Sequence, residues 1–189
     1  MSDLAVRPPE TATISPTAMR EAMGRFATGV TIITTLDTTG TPAGCTVSAF
    51  SSVSLDPPLV LVCIEASRFM HGLLTEGPGF AVNVLSSLQA GLALSFARRS
   101  AGKFAGVAHH AGCFGVALLD GAIAHVQCTR HAVYDGGDHA IVVGRVYDIR
   151  VAAGEPLLYS SGRFLDIEPR AWDGALAVAP HEWLQSAPW

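Results

Sequence analysis

The sequence predicts a mainly β fold, an antiparallel barrel carrying two or three short helices. About six runs of β-branched and aromatic residues recur along the chain, turn residues join neighbouring runs as hairpins, and helical periodicity is confined to short stretches. At 189 residues the chain holds one core and is too short for two nucleotide-binding domains.

Taken in order, residues 1–16, with Pro8-Pro9 and Thr11-Ala12-Thr13, have little to bury and read as a flexible arm. The folded domain is expected over 17–168. Met19, Met23 and Phe26 recur at helical spacing between Thr17 and Ala27, with Ser15 or Thr17 as cap and Gly29 as stop. Val30–Thr35 and Ala43–Ala49 flank the turn residues Asp37-Thr38-Thr39-Gly40 and form a hairpin. Pro58–Ile64 and Phe80–Leu85 are continuously apolar, as strands covered on both faces are. Ser67 caps a short helix reaching Thr75. Ser86 and Gln89 have capping-box spacing, and Leu88, Leu92 and Phe96 make the buried stripe of the following helix. Ala122–Tyr134 and His139–Val151 are long strands joined by Asp135-Gly136-Gly137-Asp138, a turn that tolerates positive φ. Residues 169–189, with Trp172, Trp183 and Trp189, form a tail expected to pack over the barrel or a partner subunit.

The stretch Gly44–Pro58 is the most informative. Five hydroxyls and a glycine fall within eleven residues where a strand ends, so many backbone N–H groups and Oγ donors are left for a polar, phosphorylated ligand. It reads as a binding loop.

A net charge of −4 without a run of Lys or Arg excludes a nucleic-acid partner, which needs clustered cations. Apolar residues make up 49% and charged ones 15%, so part of the surface is expected to be hidden in a homo-oligomer. No stretch reaches the about 18 apolar residues of a membrane span, and no signal peptide is visible. A cytoplasmic protein is expected. Cys45, Cys63, Cys113 and Cys128 stand at irregular spacing in apolar segments, which reads as four buried thiols without a disulfide.

Several motifs fail on their spacing. Gly24-Arg25-Phe26-Ala27-Thr28-Gly29 has the glycines of a phosphate loop, but Val30-Thr31 replaces the Lys and hydroxyl, and the helix precedes the glycine. No dinucleotide fingerprint is present, so any nicotinamide binds without a Rossmann domain. On a strand His125 and His131 face one side and Cys128 the other, with ends roughly 20 Å apart at about 3.3 Å per residue; His109-His110 with Cys113 could add ligands, but buried cysteine and edge histidines are the plainer reading, and no metal is expected. No Gly-x-Ser-x-Gly elbow marks a serine hydrolase. His139 sits at the mouth of a strand after a glycine turn, where a side chain can reach a ligand on the barrel rim, although a histidine in such a place is more often just solvated.

In chain order, Phe26-x-Thr28-Gly29-Val30-Thr31, Gly44-x-Thr46-x-Ser48-Ala49-Phe50-x-Ser52-Val53-Ser54-Leu55-Asp56-Pro57-Pro58, Phe80-Ala81-Val82-Asn83-Val84-Leu85, Gly137-Asp138-His139, Pro156-Leu157-Leu158-Tyr159 and Gly162-Arg163-Phe164 resemble the short-chain flavin reductase family over about residues 19–168. The resemblance implies a six-stranded Greek-key split barrel of the FMN-binding kind, forming a homodimer with FMN or FAD near the subunit interface. It implies hydride transfer from NADH or NADPH to the flavin, which then supplies a partner monooxygenase.

By the same resemblance Thr46, Val47, Ser48, Ala49, Phe50 and Ser52 line the isoalloxazine and ribityl chain, and Ser67 and Arg68 meet the phosphate with Asn83 beside them. His139, Gly162, Arg163 and Phe164 match the nicotinamide region. Hydride transfer belongs to the two cofactors once held about 3–3.5 Å apart, so His139, the one residue expected at the reacting atoms, is a positioning group rather than a base. Ala49 and Phe69 depart from the family pattern and each removes a hydroxyl; an adenine resting on Phe69 would favour FAD. Two alternatives stay open: a flavin enzyme with its own organic substrate, and a non-catalytic flavin- or haem-binding barrel.

Overall fold

A computed structural model describes residues 13–167; most of the arm and the whole 169–189 tail lie outside them. Helix α1 (Pro16–Gly24) is capped by Ser15, whose Oγ accepts from the Ala18 amide at 3.2 Å. It ends before the expected Ala27 and buries no residue. Its periodic Met19 and Met23, and Phe26 beyond them, are 52%, 56% and 74% exposed.

Strands β1 (Thr28–Gly29), β2 (Thr31–Leu36), β3 (Pro42–Val47), β4 (Phe50–Leu55) and β5 (Pro58–Glu65) follow, then α2 (Phe69–Glu76) and β6 (Gly79–Val84). Helix α3 (Ala90–Ala97), β7 (His109–Ala111), β8 (Ala117–Leu119), β9 (Ala124–Asp135), β10 (His139–Val151), β11 (Leu158–Ser160) and β12 (Arg163–Leu165) complete the chain. The fold is mainly β, as expected. Among the described residues no helix is long and apolar enough to cross a membrane.

Seven strands form the principal sheet in the order β3-β2-β6-β9-β10-β5-β4, antiparallel at every pair. Its first and last strands are neighbours in the chain, joined only by Ser48-Ala49, so the sheet must coil until its two edges approach. β3 accordingly touches β5 across the interior. The sequence predicts about six strands and reads β4 as part of a loop, whereas Phe50–Leu55 is a strand. Serines in Phe50-Ser51-Ser52-Val53-Ser54-Leu55 carry little β propensity, and the pairing with β5 shifts register between Ser52 and Ser54.

The β2–β3 turn is tied by Asp37, whose Oδ1 accepts from Thr39 Oγ1 at 2.7 Å and from the Thr39 and Thr41 amides at 2.8 and 2.9 Å. These bonds, the Thr39 hydroxyl first, hold the Asp37 carboxyl below its ordinary pKa. The β9–β10 hairpin turns through Gly137 at φ +80, with Asp135 Oδ1 accepting its amide at 3.0 Å.

Inside the barrel, Ile33, Val62, Phe80, Val82, Cys128 and Val142 pack together, covered by Met70 and Leu74 of α2. Each large side chain so buried contributes about 1.5–3 kcal/mol. Gly144 of β10 is a packing requirement: a Cβ there would lie 2.6 Å from Phe80 Cζ and 2.7 Å from Cys128 Cβ. On the other face of β6, Ala81 packs on Val116 and Leu118, so β6 is covered on both sides. β5 is not. It alternates, burying Val60, Val62 and Ile64 while Leu59, Leu61 and Cys63 stay half-buried, because only its inner face meets the core.

Ser86 and Gln89 do form a capping box, but it closes a single 3₁₀ turn before α3. That turn rotates the register, so Leu88 is 94% exposed, Leu92 only partly buried, and Ala93 and Phe96 are buried. Of the four thiols, all free, only Cys128 is buried; Cys45 and Cys63 are half-buried and Cys113 is exposed on a turn.

Candidate functional site

The Gly44–Pro58 stretch is two edge strands meeting at Ser48-Ala49, not a loop. Several of its expected donors are already engaged: Thr46 Oγ1 donates to the Ala93 carbonyl of α3 at 2.6 Å, and Ser51 Oγ to the Ser52 carbonyl at 3.0 Å. Val47 is buried, and its carbonyl accepts from Thr31 Oγ1 at 2.7 Å. Ser48, Ala49 and Ser52 are exposed, and the Ala49 carbonyl accepts from the Cys63 amide at 3.0 Å. As edge strands, β3 and β4 each present unpaired backbone groups along their outer side.

This segment runs from one cavity to another. Gly44 and Cys45 line a cavity of about 750 Å³, and Ser48 and Phe50 line a notch of about 200 Å³. The larger cavity lies between β3, the start of α2 and the segment after α3. Arg68, Arg98, Arg99 and Lys103 bring four cations to its lining, against one acid, Asp37. Phe96 floors it against Gly44, where a Cβ would lie 2.9 Å from Phe96 Cε1 and 3.1 Å from the Ile33 carbonyl. Phe104 stacks edge-on against Phe96 at 5.1 Å, and Phe69 is 73% exposed at the rim.

Lys103 Nζ donates to the Phe96 carbonyl at 2.9 Å and the Gly44 carbonyl at 3.2 Å. Burial lowers its pKa, Cys45 opposing and Arg68 reinforcing the shift. Burial pushes the neighbouring Cys45 thiol up to about 11 despite both cations, so Cys45 is a neutral wall group.

The sequence predicts Ser67 as the cap of α2, and the structure does not place it there. Arg68 occupies the cap position without a side-chain bond to the helix. Ser67 Oγ instead donates to Glu65 Oε1 and accepts from Arg99 Nη2 at 3.2 Å, while Arg68 Nε donates to Glu65 Oε2 at 2.8 Å. Ser67 and Arg68 thus meet in the cavity, joined by Arg98, Arg99 and Lys103, which sequence reasoning passed over. The Arg98-Arg99 pair after the capped helix was their one visible signal.

Asn83, expected beside Ser67 and Arg68, lines neither cavity. It is fully buried between β2 and β8, donating to the Ile32 carbonyl at 2.9 Å and Thr34 Oγ1 at 3.1 Å and accepting from the Leu119 amide at 2.8 Å. β6 carries it on the face away from the barrel interior.

The notch is lined by Phe26, Ala27, Thr28, Gly29, Thr31, Ser48, Phe50 and Val84, none of them charged. Its β1 wall pairs with β11, which pairs with β12. There Gly162 holds φ +80 after Ser161 at φ +48, Arg163 is exposed, and Phe164 packs against Tyr159 at 5.7 Å. His139 opens β10 in the principal sheet, directly opposite Glu65, with Nδ1 at 2.7 Å from Asp138 Oδ1. His139 and the group Gly162, Arg163 and Phe164, expected at one region, therefore stand on separate sheets. His125 Nε2 bonds the Leu119 carbonyl at 2.9 Å and His110 Nδ1 the Asp120 carboxylate at 3.1 Å; among the described residues no three metal-ligating side chains converge.

A family model described as a flavin reductase like domain matches residues 23–168. The chain belongs to that family. This flavin reductase is 38% identical over 157 residues to HsaB of Rhodococcus jostii, the reductase subunit of a flavin-dependent monooxygenase, covering 82% of this chain and 80% of that one. It is 41% identical over 165 residues to an NADH-dependent FAD reductase of Streptomyces globisporus, covering 84% and 90%. The structure of the Streptomyces globisporus NADH:FAD oxidoreductase SgcE6 with NAD and FAD fragments matches with a TM-score of 0.78 at 41% identity, covering 82% of this chain and 94% of that one. The donor set fits a phosphorylated flavin: four cations and the Ser67 and Ser100 hydroxyls converge beside an aromatic wall.

Proposed function

We propose that this flavin reductase binds the phosphate end of FMN or FAD in the large cavity and lays the ring along the β3–β4 junction toward the notch. Reduction of flavin by a nicotinamide is the activity of the family to which the chain belongs. The observation that carries the assignment is the placement of Gly44–Phe50 across both cavities, one cationic and one uncharged.

In this reading Arg68, Arg99 and Lys103 supply the charge that favours a phosphate, and the Ser67 hydroxyl adds a directed contact. The exposed edge at Ser48, Ala49 and Ser52 orients the ring, Val47 and Phe50 hold that edge through backbone groups already bonded within the fold, and Phe26 and Phe50 exclude water from its notch side. When bound, the flavin supplies the hydride acceptor. His139, held by Asp138, orients the nicotinamide donor, and no side chain has to act as a base.

FAD suits the cavity better than FMN. About 750 Å³ and the aromatic Phe69 and Phe104 leave room for an adenylate end. NADH is the donor named for the Streptomyces globisporus relative, and a monooxygenase partner is implied by the HsaB likeness. A homodimer covers the outward Met19, Met23 and Phe26 of the α1 region, since an apolar helical face with nothing under it is unfavourable in water. The cytoplasm supplies the NADH.

The test is multiple turnover with free flavin. Purified protein at catalytic concentration is mixed with NADH or NADPH and with FAD or FMN, and nicotinamide absorbance falls with either flavin. Absence of turnover with both flavins and with both nicotinamides overturns the reading; a single bleaching of retained flavin without turnover supports an internal organic substrate instead.

A further inference from the structure

We infer that Glu65 is an internal anion that competes with the flavin phosphate for its binding groups and so sets the affinity for flavin. This rests on reading the large cavity as the phosphate seat. Glu65 ends β5, two residues before Ser67, and its two carboxylate oxygens take the Ser67 hydroxyl and Arg68 Nε. Arg99 is drawn into the same set through Ser67. Two of the groups that face the cavity, Ser67 and Arg68, are thus held by one carboxylate that does not itself line it, with Arg99 one bond further away.

The backbone of Glu65 is fixed: it pairs with His139 across β5–β10, and the next amide, of Ala66, donates to the Asp138 carbonyl at 2.9 Å. Its side chain is 38% exposed, so it can turn to water when another anion takes its donors. Ser67 first, then Arg68, holds the carboxyl below its ordinary pKa, which keeps it charged at neutral pH.

A phosphate entering the cavity therefore exchanges one anion for another rather than meeting bare cations. Donors released by Glu65 are donors gained by the ligand, and the net gain shrinks by the strength of the Glu65 contacts. Oxidised and reduced flavin carry the same phosphate, so the weakening applies to both, and the reduced form leaves readily to serve a second enzyme. The opposite role, in which Glu65 holds Arg68 in place for the phosphate, predicts the opposite sign.

The experiment compares wild type with Glu65→Gln in the full chain, using FMN, FAD and riboflavin, which lacks the phosphate. The variant keeps the side-chain volume and removes one charge at hydrogen-bond range. The KM for FMN and FAD, and the Kd for FMN from flavin fluorescence, should fall about three- to tenfold, with riboflavin and NADH unchanged. Inorganic phosphate should become a stronger competitor of FMN by a similar factor, and Glu65→Ala should move FMN in the same direction. A rise in the KM for FMN, no change, or an equal shift for FMN and riboflavin overturns the inference. Failure of the underlying reading is separate and visible in wild type alone: equal affinity for FMN and riboflavin would remove the phosphate from this cavity.

Discussion

The two cavities at either end of Gly44–Phe50 are built on opposite plans. The larger takes its character from side chains brought in by α2 and the segment after α3, four of them cationic. The smaller takes its character from Thr28, Gly29, Ser48 and Phe50, uncharged residues at strand ends. One end discriminates by charge, and the other by shape and backbone. A ligand that is ionic at one end and flat and aromatic at the other is matched by that division, and side-chain substitutions should therefore be felt mainly at the cationic end.

The largest effect should come from a residue that serves neither cavity. Asn83→Ala removes both internal donors and leaves the Leu119 amide without its acceptor, which should lower stability by about 2–4 kcal/mol in urea unfolding. The KM for FMN of the folded fraction should stay constant; unchanged stability with a raised KM would put Asn83 back at the phosphate.

Next, Arg99→Ala tests the charged end. Its KM for FMN and FAD should rise about tenfold, as loss of a charge-assisted contact implies, with riboflavin unaffected. An equal rise for riboflavin would mean that Arg99 shapes the whole site, and the contrast between the two ends would collapse. The smallest effect is expected at His139→Ala, where the KM for NADH should rise about threefold while that for flavin holds. The reverse pattern would assign His139, which faces Glu65 across the sheet, to the phosphate end.

Local signals made the hairpins legible. Asp37-Thr38-Thr39-Gly40 and Asp135-Gly136-Gly137-Asp138 carry turn chemistry between alternating runs, and both hairpins stand where expected. Strand β4 was illegible because its serines mimic a loop and its bulge breaks the alternation. Periodicity in α1 showed which residues share a face but not whether anything covers it. At the site, motif order pointed to Ser67 and Arg68, yet Arg99 reaches Ser67 only through tertiary packing, and no local pattern joins residues so far apart in sequence. Asn83 shows the converse: a polar residue within a matching motif whose bonds all go to the fold.

The sheet's first and last strands are joined by Ser48-Ala49 and not by a ladder of hydrogen bonds. A tube slit along its length gapes at the slit, because widening there breaks no rung. Guests can therefore come and go at that line while the wall opposite, β6-β9-β10, stays knitted. Amide exchange should follow the same geography, quick along the outward edges of β3 and β4 and slow across β9.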